Sequence, residues 1–188
     1  LSKIEAGKLE VTRTRFSPLE LAVDVARLFG PKAREKKLRL EARCDGPVPE
    51  TIQSDAVLLR QILINLVGNA VKFTGEGAVT LLVRLAAIGA ESGHLLEIAV
   101  EDTGVGLDPE QQRIVFEPFT QVQGSSTREF SGTGLGLSLA RRIARLLGGD
   151  VLDSHSQCGD ATVIVPLAGA RECLRRLKLD PELAFNVL

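Results

Sequence analysis

Residues 55–72 constrain this chain more than any other stretch. Leu59, Ile62, Leu63, Leu66, Val67 and Ala70 recur at helical spacing and cover most of the helix circumference. A helix with that much apolar surface must be packed on several sides, in the middle of a core. Ser54 and Asp55 stand where its cap belongs. The remaining circumference is one stripe of Gln61, Asn65, Asn69 and Lys72. A plain solvated face is one reading of this stripe. Such faces carry several charges, however, and this one has amides facing a single Lys. An amide oxygen is a suitable Mg²⁺ ligand when the anionic ligands come from a nucleotide, and Lys72 would then meet a phosphate.

The rest of the chain supplies the layers around that helix. Residues 8–16 alternate as a strand. Ser17 and Pro18 open a helix that reaches the mid-thirties, with a kink expected near Gly30-Pro31. Residues 38–44 form a strand. Residues 77–89 and 94–102 read as a hairpin across a turn-rich 89–93. Pro109 starts a short helix, and 120–134, rich in Ser, Thr, Gly and Gln, reads as a mobile loop. Residues 135–147 form a helix stopped by Gly148-Gly149. Strands at about 150–155 and 161–166 close the unit. Strict βαβ alternation is missing, so the expectation is an α+β sandwich with an antiparallel or mixed sheet and helices on one face.

Two further segments have the composition of a site. In 99–108 a strand runs into Asp102, then Gly104 and Gly106. The glycines let the backbone approach a flat ligand, and a carboxylate at a strand end accepts from an exocyclic amine. An ordinary Asp-Gly turn has the same pattern. In 131–149, Gly132, Gly134 and Gly136 stand at the mouth of a helix, an N–H cradle suited to phosphate. The GxGxG spacing and the polar segment before it differ from the dinucleotide fingerprint, and no Gly-Lys-Ser/Thr follows. Arg128 is the basic residue of the 120–134 loop. On its own it reads equally well as a solvated charge or as a phosphate contact.

Together these segments resemble the ATP-binding catalytic domain of bacterial two-component sensor histidine kinases, in the wider GHKL ATPase superfamily. QILINLVGNAVKFT resembles the N box, EDTGVG and GTGLGL the two glycine boxes, and FEPF at 116–119 the F box. The lid sequence is similar to that of hybrid kinases. The resemblance implies a Bergerat-type sandwich, with a mixed, mostly antiparallel sheet of about five strands and three main helices on one face. It implies that residues 1–7 end a dimerisation helix, that 8–167 form the catalytic domain with an ATP lid at 116–134, and that 168–188 are a tail or linker. ATP and Mg²⁺ are the implied cofactors, with Asn69 as the metal ligand. Asn65, Lys72 and Phe73 would line the site from the same helix, Lys72 on phosphate and Phe73 near adenine. Asp102 would read the adenine amino group, beside Gly104 and Gly106. Gly132, Thr133, Gly134, Leu135 and Gly136 would shape the phosphate pocket. Arg128 would reach the γ-phosphate, and Thr162 would sit behind the adenine. Asn69, Lys72 and Arg128 carry the implied catalysis.

Position 65 separates two chemistries within that superfamily. Hydrolysing relatives such as gyrase place a general-base Glu one turn before the Mg-binding Asn. Here that position is Asn65, which takes no proton at neutral pH, so transfer to a protein nucleophile is favoured. Neither His94 nor His155 is followed by an acidic residue, as the family's acceptor is. The phosphorylated His is therefore expected upstream. A nucleotide-binding but inactive regulatory module is the competing reading. The expected partners are the dimerisation domain of the same protein, a homodimer in the parent, and a response-regulator receiver domain.

Composition agrees with this. The 188 residues hold 23 Lys and Arg against 24 Asp and Glu, which gives no support for nucleic-acid binding. No uninterrupted apolar run reaches the roughly 18 residues of a membrane span, and no direct membrane contact is expected. Cys44, Cys158 and Cys173 form no CxxC or disulfide pattern, so a reduced, cytoplasmic domain is expected. With no Met and Leu1 at the start, the chain reads as a piece of a longer protein.

Overall fold

The structure is a computed structural model that describes residues 10–87, 94–120, 134–153 and 161–166. In chain order the elements are β1 (Thr14–Phe16), α1 (Pro18–Glu35), β2 (Arg39–Cys44), β3 (Ile52–Ser54), α2 (Ala56–Phe73), β4 (Ala78–Ala87) and β5 (His94–Asp102). They continue with α3 (Pro109–Ile114), α4 (Gly136–Leu146), β6 (Asp150–Asp153) and β7 (Ala161–Pro166). The main sheet has the order β2-β4-β5-β7-β6, and β1 pairs with β3 in a separate two-stranded ribbon. The β2–β4 pair is parallel and the other main-sheet pairs are antiparallel. This is an α+β sandwich as the element pattern implies, with the mixed, mostly antiparallel sheet that the family resemblance implies.

α2 lies at the centre, as its apolar circumference requires. Leu59, Ile62, Leu63, Val67 and Val71 are fully buried. They share one core with Val79, Leu81 and Val83 of β4, Leu96, Ile98 and Val100 of β5, and Val163 of β7. α2 has the length and mean hydropathy of a membrane span. Its apolar side chains pack on the sheet and on α1 and α4, so that hydropathy is the mark of a core helix. α4 and its C-cap residue Leu147 contribute Ala140, Ile143, Ala144 and Leu147, an i, i+3, i+4, i+7 stripe.

α1 and α2 run side by side in the same direction. Asp24 pairs with Arg60 at 3.2 Å, the Phe29 ring lies against Gly68, and Lys36 reaches the last turn of α2. Numbers rising together on both helices define a parallel pair, so the end of α1 is delivered to the end of α2. α1 continues through Pro31 as one helix. The missing Pro31 N–H would have bonded Arg27, whose carbonyl lies on an exposed turn where water can serve it.

The sequence boundaries hold with three changes. Within the described part of the expected 8–16 strand, residues 10–16, only Thr14–Phe16 is β. β3, three residues long, is too short to show alternation in sequence, and its pairing with β1 makes it a strand. The cap of α2 is Asp55 alone, accepting from the N–H groups of Val57 and Leu58, while Ser54 ends β3. The expected helix end at 1–7, the turn at 89–93, most of the 120–134 loop and the 168–188 tail lie outside the described residues.

Candidate nucleotide site

Strand register determines which β5 residues face the helices. Leu96, Ile98 and Val100 point into the core, so Asp102, two residues on, stands on that same face at the strand's end. Its Oδ1 accepts from the Gly104 N–H at 2.7 Å and from Thr74 Oγ1 at 3.2 Å. Thr74 is the fully buried residue that ends α2, so this bond ties the helix end to the strand end. The loop is latched again by Thr103, whose Oγ1 donates to the Glu76 carbonyl at 2.9 Å and accepts from the Ala78 N–H at 3.0 Å.

Position 104 has no room for a side chain. A Cβ there would stand 2.6 Å from Asp102 Oδ1, 3.1 Å from the Phe73 carbonyl and 3.2 Å from Thr74 Oγ1. Gly106 has φ +67°, in the left-handed region open to glycine. Both glycines are thus required by the backbone, one for space and one for conformation.

The amide stripe of α2 reaches from this loop to the start of α4. Gln61 Nε2 donates to Asn65 Oδ1 at 3.3 Å. Asn65 Nδ2 is buried and has no hydrogen-bond partner, and the Cβ position of Gly136 stands 4.0 Å from Asn65 Cγ. An orphaned donor at the mouth of a helix is costly unless a ligand answers it. Leu135 precedes α4 without a side-chain cap, so the helix's first N–H groups point out of the helix end. Gly134 has φ +67°, and its carbonyl accepts from the Phe119 N–H at 3.1 Å. A Cβ on Gly134 would meet Phe119 and Thr120 backbone atoms at 2.8 Å. Lys72 Nζ lies 4.8 Å from the centre of the Phe73 ring, and Phe73 is 44% exposed. Phe73 is therefore at the rim of the site and not in the core.

Of the residues expected from sequence, Asn65, Asn69, Lys72 and Phe73 fall on α2, where Asn65 stands beside Gly136 and the Phe73 carbonyl beside Gly104. Asp102 ends β5 with Gly104 and Gly106 just after it, and Gly134, Leu135 and Gly136 stand at the start of α4. Arg128, Gly132 and Thr133 lie outside the described residues. Thr162 is not brought to the site. It pairs with Ala99, so it shares the outer face with Glu97 and Glu101, opposite Asp102. The one-residue alternation of the strand makes this correction, and the sequence left that register open.

Two residues were missed. Thr74 closes the N-box segment but has no periodic signal of its own. Lys36 belongs to no motif in the sequence, yet its Nζ donates to the carbonyls of Val71, Lys72 and Thr74 at 2.8, 2.7 and 3.1 Å. Burial, and secondarily Lys32, hold its pKa below the usual lysine value.

The fold and site thus define an α+β sandwich whose buried amide-bearing helix touches two glycine segments, one opening with a held carboxylate. Residues 54–169 match the family of histidine kinase-, DNA gyrase B- and HSP90-like ATPases, and the chain belongs to that family. It is 42% identical over 165 residues to a sensor-like histidine kinase of Rhizobium meliloti, covering 88% of this chain and 30% of the relative. The chain thus spans under a third of that protein's length. Among solved structures it is similar to full-length ShkA in complex with AMPPNP, with 32% identity and a TM-score of 0.72 over 90% of this chain and 35% of that one. It is also similar to the nucleotide-free catalytic domain of the histidine kinase ThkA, at 26% identity and a TM-score of 0.69, over 85% of this chain and 99% of that one.

Proposed function

We propose that this chain binds ATP with Mg²⁺ and presents the γ-phosphoryl group to a histidine on a dimerisation domain outside it. The observation that carries the reading is the convergence on α2. Asn65 meets Gly136 on one side, and the end of α2 at Phe73 and Thr74 meets Gly104 on the other. From residue 65 to 74 the helix covers roughly 13 Å, a span suited to base, ribose and phosphates laid end to end.

Each residue has a defined task in this reading. Asp102, held from the protein side by Gly104 and Thr74, accepts from the exocyclic amine of adenine. Gly104 keeps the floor flat. The first N–H groups of α4, with Gly134 and Gly136 keeping the backbone open, receive phosphate oxygens. Lys72 adds a positive charge, and Arg128 adds another from the 116–134 lid. Among the described residues no three His, Cys, Asp or Glu side chains cluster to hold a metal ion. As the family resemblance implies, Mg²⁺ would take the Asn69 carboxamide oxygen, with the anionic ligands from the nucleotide, and would supply charge neutralisation at the phosphates. Asn65 offers no base for a water, so the protein's part is positioning and electrostatic stabilisation of an in-line transfer.

The parent would be a homodimeric sensor kinase with this unit in the cytoplasm, passing its phosphoryl group to a receiver domain. The test has two stages. Titration of the chain with a fluorescent ATP analogue should give Mg²⁺-dependent binding that Asp102→Ala abolishes; binding indifferent to both would sink the nucleotide reading. A chain extended upstream through the dimerisation hairpin should then acquire acid-labile label from radiolabelled ATP. Tight binding without label would favour a regulatory module instead.

A further inference from the structure

We infer that Lys36 is a positioning residue for the nucleotide site, holding the end of α2 so that Thr74 braces Asp102; this rests on the role proposed for Asp102. Lys36 immediately follows α1 and makes no claim on a ligand itself. Its ammonium has three N–H donors and meets three carbonyls, those of Val71, Lys72 and Thr74. Two of the three are last-turn carbonyls of α2 that the helix leaves unserved. The third lies beyond the helix, and it fixes Thr74, whose hydroxyl reaches Asp102.

The connection crosses three elements. Lys36 comes from α1, Thr74 from the end of α2 and Asp102 from the end of β5. The bonds span 38 residues from Lys36 to Thr74 and 28 from Thr74 to Asp102. An ordinary C-terminal cap needs only the Val71 and Lys72 bonds and could be replaced by water. The Thr74 bond has a separate consequence, because Thr74 Oγ1 and the Gly104 N–H share the same Asp102 oxygen. Freeing Thr74 therefore leaves that oxygen with only the Gly104 N–H of this pair. The backbone at this point is also set against its own preference. Lys37 has φ +57°, a conformation that non-glycine residues adopt at a cost. Bonds from Lys37 N–H to Arg34 and from Leu38 N–H to Ala33 hold the turn. This turn fixes where the Lys36 side chain starts and delivers it to the end of α2. The same turn of α2 carries Lys72 and Phe73, so Lys36 sets the position of the site's cation as well.

The test compares the wild-type chain with Lys36→Met, Lys36→Arg, Thr74→Val and the Lys36→Met/Thr74→Val double variant. Two readouts are used well below each variant's melting temperature. The first is free of nucleotide: amide hydrogen exchange at Gly104 and Thr74 against Val83, an internal reference in the sheet. Lys36→Met should speed exchange at Gly104 and Thr74 by about tenfold and leave Val83 unchanged. The second is affinity for the fluorescent ATP analogue with Mg²⁺, which should weaken by about tenfold. Lys36→Arg should recover part of both effects, since its planar fork cannot address three carbonyls fanned around one atom. The double variant should weaken binding by less than the product of the two single effects, because both substitutions cut one path. Unchanged Gly104 exchange in Lys36→Met, or fully independent effects in the double variant, would overturn the inference. If the wild type binds no nucleotide while Gly104 exchange still responds to Lys36, the coupling stands and the nucleotide reading falls. If Lys36→Met does not fold, Lys36→Arg and Thr74→Val decide the matter by the same two readouts.

Discussion

Gly104→Ala isolates the role of space in this site. The glycine's conformation is one other residues can adopt, so the penalty comes from contact alone. The new methyl would stand 2.6 Å from Asp102 Oδ1, closer than real Cβ atoms come, and 3.1 Å from the Phe73 carbonyl. The carbonyl belongs to the end of α2 and is held by the helix, so the carboxylate must move. That breaks the 2.7 Å bond from the Gly104 N–H, a hydrogen bond to a charged group worth about 1.5–3 kcal/mol. Asp102 is half-buried, so the lower end applies, and loosening the Thr74 bond adds about 0.5–1 kcal/mol. Alanine restricts the unfolded chain and returns about 0.4–1 kcal/mol. The net expectation is a loss of about 1–2 kcal/mol in urea unfolding, with nucleotide affinity down by at least about tenfold. In an Asp102→Ala background the same substitution should cost no more than about 0.5 kcal/mol, since its main obstacle is gone. A Gly104→Ala protein with full stability and full affinity would refute the reasoning. An equal cost in both backgrounds would show that the carboxylate is not what the methyl meets.

Three other outcomes follow. Asp55→Ala should destabilise by about 2 kcal/mol in urea unfolding, because a buried carboxylate there serves Val57, Leu58 and Thr12 N–H groups together; a change under about 0.5 kcal/mol would count against that cap. Asn65→Glu should raise phosphate release from ATP by at least about tenfold, with Gln61 still able to donate to the new carboxylate; no change in a phosphate-release assay would remove position 65 from the chemistry. Lys36 has its pKa lowered from 10.5 by burial and Lys32, so as pH nears that value from below the unfolded chain binds more protons than the folded one. The Lys36 contribution to stability should therefore rise with pH over the window just below the ordinary lysine pKa. Comparing urea midpoints of wild type and Lys36→Met across that window checks the sign.

The fold was readable wherever a segment's own pattern was long enough. The central place of α2 follows from its apolar circumference, and the pairing of β4 with β5 follows from two alternating runs joined by a turn. Gly104, Gly106, Gly134 and Gly136 stood out in sequence through their combination, one pair just past a strand end and one at a helix mouth, since an Asp-Gly pattern alone is shared by ordinary turns. β3 was not, since three residues carry no period. Thr162 was misplaced because a one-residue shift in register exchanges the two faces of a strand, and nothing in 161–166 specifies that shift.

The amino-acid sequence by itself singled out the residues proposed to carry the site's chemistry. The amides, the carboxylate and the glycines each have local patterns that set their side chains' spacing and backbone. Only the tertiary structure decided what supports them. Lys36, Thr74 and Asp102 are separated by 38 and 28 residues, and no periodicity reaches across such distances. They meet because α1 and α2 run in parallel to a common end, and because β5 stops beside that end. Long-range hydrogen bonds of this kind are set by how elements pack, and packing is a property of the whole core.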